Sequence, residues 1–235
     1  MIIGGFDKLT LLDYKGKVAG IIFTGGCNFR CPYCHNGDIV TNTINNEFDI
    51  EEIFAYLKKR KNILDGVVIS GGEPLIHSDI EKLIAPIKEL GYSIKLDTNG
   101  TYPERLKSLI DKKYIDYIAM DIKGPINKYS LITGIASNHV EVKNLSGRIY
   151  NSIELIMGSG IEYEFRTTYV KGLHTPEDFE DTGRLIKGAD NYYIQNFRQC
   201  ENVLDKANTF ESFSNEELSA IKSIIEKYVK NVYIR

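Results

Sequence analysis

The feature that most constrains how this chain folds is an alternation. About six times, a short β-rich run is followed by a longer run with helical period. The β-rich runs cover residues 19–24, 66–70, 93–97, 114–120, 161–168 and 192–195. Between them, Ile50, Ile53, Phe54 and Leu57 recur at i, i+3, i+4 and i+7, as do Ile80, Leu83, Ile84 and Ile87. Each of these segments therefore has one apolar face. Asp49 with Glu52, Ser78 with Glu81 and Ser214 with Glu217 have the spacing of a helix-capping box. Thr175-Pro176 sets a capping residue before a proline suited to a first helical turn. A last helix is expected over residues 214–230, burying Leu218, Ile221, Ile225 and Tyr228, with a short strand at 232–234. Alternating β and α segments predict a parallel sheet with crossover helices. Periodicity leaves an open sheet and an incomplete barrel both available. In either form, ligands collect at the carboxyl ends of the strands.

Composition narrows the class. The 235 residues suit one α/β domain spanning 1–235, and 43% hydrophobic with 26% charged residues is the balance of a globular protein. A net charge of −3 gives no sign of general nucleic-acid or membrane-surface binding. No apolar stretch reaches the roughly 18 residues of a membrane-spanning helix. The first residues lack the pattern of a signal peptide, so a cytoplasmic protein is expected. Four cysteines, three of them clustered, argue for metal or redox chemistry over a disulfide framework.

The strand ends carry the chemistry. Cys27-Asn-Phe-Arg-Cys31-Pro-Tyr-Cys34 follows the first β run. Three thiols so close can hold three corners of a cubane iron–sulfur cluster. Electron-transfer clusters ordinarily use four thiolates, so one iron would stay open to bind a small molecule. Four cysteines exclude a second four-thiolate cluster. Gly71-Gly72-Glu73-Pro74 follows the second run, Asp97-Thr98-Asn99-Gly100 ends the third, and Asp121-Ile122-Lys123 ends the fourth. Arg166-Thr167-Thr168 ends the fifth and Gln195-Asn196-Phe197-Arg198 the sixth. Glycines at 71 and 72 would let backbone carbonyls approach an ammonium group. Asp97 could accept from ribose hydroxyls. Asp121 and Lys123, two apart, share a strand face, and the lysine could neutralise a ligand carboxylate. His35, next to the last cysteine, is expected to face the ligand. His77, His139 and His174 have no evident partner, and Cys200 stands apart from the cluster.

With CxxxCxxC, GGEP, DTNG and DIK in this order, the chain resembles the radical S-adenosylmethionine (SAM) superfamily. Within it, the stretch from Gly4-Gly5-Phe6 to Cys34-His35-Asn36 is similar to the glycyl-radical-enzyme activating enzymes. That stretch, Glu164-Phe-Arg-Thr-Thr168 and Gln195-Asn-Phe-Arg198 look most like the anaerobic ribonucleoside-triphosphate reductase activating proteins. The resemblance implies a partial (β/α)6 barrel. It implies a [4Fe–4S] cluster on Cys27, Cys31 and Cys34, with SAM on the fourth iron. Tyr33 and His35 would line the adenine side, and Gly72 and Glu73 the amino group. Asp97 would meet the ribose, and Asp121 and Lys123, with Arg166 nearby, the methionine end. Related activases carry a histidine after the sixth strand, where this chain has none. A flavodoxin- or ferredoxin-type donor would supply the electron. Anaerobic ribonucleotide reductase is the expected partner, with pyruvate formate-lyase as the alternative. Its glycine loop would dock on residues 1–17 and 126–145. The other readings are a radical SAM enzyme acting on a small molecule, or a structural zinc or electron-transfer protein.

Overall fold

A computed structural model describes residues 1–43, 48–135, 144–207 and 210–235. His139 and most of the second half of the 126–145 segment lie outside them. The chain divides into two compact units, Met1–Asn28 with Asp38–Ile118, and Phe29–Gly37 with Ala119–Arg235.

The first unit holds β1 (Ile3–Thr10), β2 (Ala19–Thr24), β3 (Gly66–Gly71) and β4 (Ser93–Thr98), hydrogen-bonded in that order. Helices α1 (Gly37–Thr41), α2 (Ile50–Arg60), α3 (Glu81–Glu89) and α4 (Pro103–Asp111) connect these strands or follow them. β2, β3 and β4 are parallel, and Ile22, Ile69 and Leu96 form one cross-strand row. All three are fully buried. Strands buried on both faces read as nearly continuous apolar runs, and residues 19–22 and 66–69 are buried on successive positions. β1 is a strand that the alternation did not signal. It runs antiparallel to β2, pairing Phe6 with Ile22. Much of the 1–17 segment expected as a docking surface is thus built into the sheet, while Leu11 and Leu12 beyond it are exposed.

The second unit takes β5 (Tyr117–Asp121) from Ala119 onward. It also holds α5 (Tyr129–Ile132), α6 (Leu145–Gly158), β6 (Glu162–Tyr169), α7 (Pro176–Leu185), β7 (Asn191–Asn196), α8 (Asn215–Ile225) and β8 (Asn231–Ile234). β6, β7 and β8 are parallel, with Phe165, Tyr192 and Val232 in one buried row.

The helix starts follow the sequence unevenly. Ser214 and Glu217 form the full reciprocal box: Glu217 N–H donates to the Ser214 hydroxyl and Ser214 N–H to the Glu217 carboxylate. Asp49 caps α2 by accepting from Glu51 N–H rather than by pairing with Glu52. Ser78 does not cap α3. Ile80 occupies the cap position in a helical conformation with no side-chain bond, whereas a side-chain cap needs extended backbone there. α8 stops at Ile225, short of the expected 230, and turns into β8.

Candidate active site

In the first unit, the carboxyl ends of β2, β3 and β4 are tied into one hydrogen-bonded rim. Gly72 N–H donates to Thr24 C=O at 3.0 Å and Glu73 N–H to Gly26 C=O at 2.9 Å. The glycine at 72 is obligatory. A Cβ there would lie 1.9 Å from the Gly26 carbonyl oxygen and 3.1 Å from Cys27 Cβ. The GG turn is therefore pressed directly against the start of the cysteine loop. Gly71 has φ of 124°, in the region only glycine adopts easily.

Glu73 differs from expectation. It is fully buried, and its carboxylate is spent inside the protein. Oε1 accepts from Leu75 N–H and the Thr98 hydroxyl, at 3.0 and 2.7 Å, and Oε2 from Asn99 N–H at 2.6 Å. A buried carboxylate needs such donors, and these lock the GGEP turn to the DTNG turn. Asn99 carries the network on to Asn28, whose side-chain amide donates to the Thr101 hydroxyl. Asn99 Nδ2 also stands 4.0 Å from Cys27 Sγ. His77, given no role from sequence, bonds through Nε2 to the Gly25 carbonyl at 2.9 Å.

In the second unit, the rim is ionic. Asp121, at the end of β5, is bonded to Arg166 Nε from β6 and to Lys123 Nζ at 3.0 Å. Burial alone would raise the Asp121 pKa, but the two cations outweigh it and hold the carboxyl well below its ordinary range. Burial opposes the charge on Lys123 too, and Asp121 more than restores it, so the ammonium is held well above its usual value. Cys31 and Cys34, in the same unit, feel the charges of this triad. Burial pushes the Cys31 thiol up to about 11, with Lys123 pulling the other way. Burial also raises Cys34.

The cysteine loop is gripped on both flanks. Arg30 N–H donates to the Thr133 carbonyl at 2.8 Å, and a Cβ on Gly134 would lie 2.2 Å from the Arg30 carbonyl oxygen. Within the segment expected to form a docking surface, Thr133 is fully buried and braces the loop, while Gly134 is exposed. On the other flank, residues 202–205 form a strap. Leu204 N–H donates to Cys34 C=O, Asp205 N–H to Pro32 C=O, and Gly37 N–H to Asn202 C=O, at 2.9, 2.9 and 3.2 Å. No local sequence signal marks the strap. Its bonds are main-chain to main-chain, and only buried Val203 hints at packing.

Tyr33 is 4% exposed, and its hydroxyl is buried without a hydrogen-bond partner. Its ring meets His174 edge-on at 6.4 Å. His174 is a supporting residue that the sequence did not reveal. Val170 N–H donates to Nδ1, which leaves Nε2 as donor to the Lys123 carbonyl at 3.0 Å. Burial lowers the His174 pKa, consistent with the neutral ring this bonding requires. His35 is exposed and lies against the buried Phe197 ring, centroids 5.4 Å apart. Asn196, in the stretch that lacks the related activases' histidine, is engaged with both backbone groups of Phe213. Cys200 is exposed.

The donor set suits a cluster better than a lone ion. Among the described residues, no three His, Cys, Asp or Glu side chains are gathered closely enough to hold one metal ion. Ligands of a cubane bind different irons and stand farther apart than four donors around a single zinc. Among the described residues, too, no helix is long and apolar enough to cross a membrane.

Comparison with known proteins gives the class first. Residues 21–186 match the Radical SAM superfamily, and the chain belongs to it. It is a radical SAM enzyme, and membership implies a [4Fe–4S] cluster and SAM. The finer family follows from a relative in Methanocaldococcus jannaschii, named "Putative glycyl-radical enzyme activating enzyme MJ1227". It is 34% identical over 241 aligned positions, covering 100% of this chain and 95% of the relative. The chain therefore belongs to a family of glycyl-radical enzyme activating enzymes. The pyruvate formate-lyase-activating enzyme of Staphylococcus aureus is 35% identical over 57% of this chain and 58% of its own. Among solved structures, a radical SAM methyltransferase from Sphaerobacter thermophilus superposes with a TM-score of 0.70 at 14% identity, over 96% of this chain and 68% of that one. Streptococcus suis SuiB bound to SAM gives 0.66 at 15% identity, over 92% and 51%. These likenesses establish the α/β radical SAM fold expected from the sequence.

Proposed function

We propose that this protein installs a glycyl radical on anaerobic ribonucleoside-triphosphate reductase, using a [4Fe–4S] cluster held by Cys27, Cys31 and Cys34. The observation that supports the reading is the loop carrying Cys31 and Cys34, clamped by backbone bonds on both flanks in the unit that also holds the Asp121–Lys123–Arg166 triad. Bound there, the cluster supplies the electron that splits SAM into methionine and a 5′-deoxyadenosyl radical, which takes one hydrogen atom from the partner's glycine.

The chain's own residues bind, orient and exclude water. Lys123 and Arg166 offer positive charge to the methionine carboxylate, and Asp121 keeps both in register. The backbone of Gly71-Gly72 faces the amino group, while the Glu73 side chain holds that backbone in shape. Asp97 accepts from the ribose. His35, exposed on Phe197, takes the adenine side, and Tyr33 backs the loop from within. The electron comes from a flavodoxin- or ferredoxin-type donor. On the 1–17 segment the partner's glycine loop would meet the exposed Leu11 and Leu12 rather than the paired strand. A second reading, pyruvate formate-lyase as partner, is favoured by the Staphylococcus aureus relative.

The test is anaerobic EPR of the reconstituted protein with SAM, a reductant and each candidate partner in turn. A SAM-dependent glycyl-radical doublet with the reductase supports the proposal. A doublet with pyruvate formate-lyase alone assigns that partner instead. Neither doublet, with a loaded and reducible cluster, overturns both.

A further inference from the structure

Asp97 is held at both oxygens. Lys95 Nζ lies 2.9 Å from Oδ1, and the Ser70 hydroxyl donates to Oδ2 at 3.0 Å. Lys95 and Asp97 are two residues apart on β4, so their side chains leave the same face. The Lys95 side chain is 4% exposed and that of Asp97 14%. The Tyr117 ring adds a cation–π contact, its centroid 6.0 Å from Nζ.

A lysine this deeply buried is rare unless paired. Burying an ion pair costs desolvation that an apolar residue of similar volume would avoid. The other buried residues of β4 are Ile94 and Leu96, both fully covered, and Thr98, whose hydroxyl is bonded to Glu73. Packing alone would be better served by a third apolar residue. Local rules are broken mainly at functional sites, and this breach occurs one turn of the pleat before Asp97.

We propose that Lys95 is a positioning residue for SAM: with Ser70, it fixes the Asp97 carboxylate in the orientation that receives the ribose hydroxyls. This rests on the reading of Asp97 as the ribose acceptor, and the experiment separates the two. Binding of SAM and of its 2′-deoxy and 3′-deoxy analogues is measured on anaerobic, cluster-loaded protein, alongside iron content and the thermal midpoint.

Wild type is expected to bind at least one deoxy analogue about tenfold more weakly than SAM, the size of a lost hydrogen bond to a charged group. In Lys95→Met, SAM should weaken to the level of the analogues, which should not change, and iron content should stay at the wild-type level. Lys95→Arg should recover part of the discrimination. Ser70→Ala, which removes the other anchor without burying a new group, should erode it. Lys95→Met that still discriminates as wild type does overturns the positioning role and leaves Asp97 in place. If Lys95→Met fails to fold, undiminished discrimination in Ser70→Ala overturns it instead. A wild type that does not discriminate overturns the ribose reading and this inference with it.

Discussion

The two units build their strand ends from opposite materials. In the first, Gly26, Gly72, Glu73, Thr98, Asn99 and Asn28 are joined by backbone and amide hydrogen bonds around one buried carboxylate. In the second, Asp121, Lys123 and Arg166 form an ionic triad near one buried thiol, Cys31, and one part-buried thiol, Cys34. The first arrangement fixes shape. Each bond is directional, and removing one partner leaves a buried polar group unsatisfied. The second fixes charge. Its interactions are strong where solvent is excluded and depend on protonation. On the proposed reading, a zwitterionic ligand on a metal cluster would call on both kinds of rim, each built by its own stretch of chain.

The sharpest break of this comparison is at the cysteines. Cys31→Ala should abolish cluster-dependent SAM cleavage, with iron content falling in the same preparation. Cys200→Ala should leave both unchanged. Full activity in the Cys31 variant, or iron loss in the Cys200 variant, would sink the ligand assignment.

The next effect lies in the ionic rim. Asp121→Asn leaves two part-buried cations without their shared anion and should cost about 3 kcal/mol of stability, the low end for a fully buried pair. Its pH dependence identifies the cause. The folded-state pKa of Asp121 lies below its ordinary 3.8. Its contribution is therefore present in full above about that pH and is lost as pH falls through the folded value. The gap between wild type and variant, measured by denaturant unfolding, should be constant from pH 7 to 5 and close only in strong acid. A gap that already closes near neutrality would contradict the triad.

Glu73→Gln tests the neutral rim. It keeps the shape but replaces charged acceptors with one carbonyl, so it should cost about 1.5–3 kcal/mol. Because Glu73 locks the GGEP and DTNG turns rather than touching ligand, SAM binding should weaken no more than stability does. A large loss of SAM affinity in a fully stable variant would restore Glu73 as a ligand contact.

The sequence disclosed what is local. Apolar runs marked β2 and β3, because both their faces are buried, and the motifs announced each strand's carboxyl end. Contacts between distant segments were hidden. Lys95 reads as an ordinary charge in a strand until Asp97, Ser70 and Tyr117 surround it. His174 looks isolated until Val170 and Lys123 fold around its two nitrogens. The strap at 202–205 meets the cysteine loop through backbone groups, which every residue has. Glu73 shows the opposite failure: its motif suggested a ligand contact, and only its burial reveals a clamp. β1 escaped because its exposed Asp7, Lys8 and Leu9 break the apolar pattern of an edge strand.

The smallest expected effect serves as the control for both rims. Ser214 caps α8 through a bond to Glu217 N–H, with Glu217 bonding back. Ser214→Ala should cost about 1 kcal/mol. The cap touches neither the neutral nor the ionic rim, so iron content, SAM affinity and the acid limb of stability should all match wild type. That outcome sets the level below which changes in Glu73→Gln or Asp121→Asn reflect general loosening. If Ser214→Ala shifted SAM affinity as much as Glu73→Gln did, the division of labour between shape and charge would fail, because a remote loss of stability would then suffice to perturb the site.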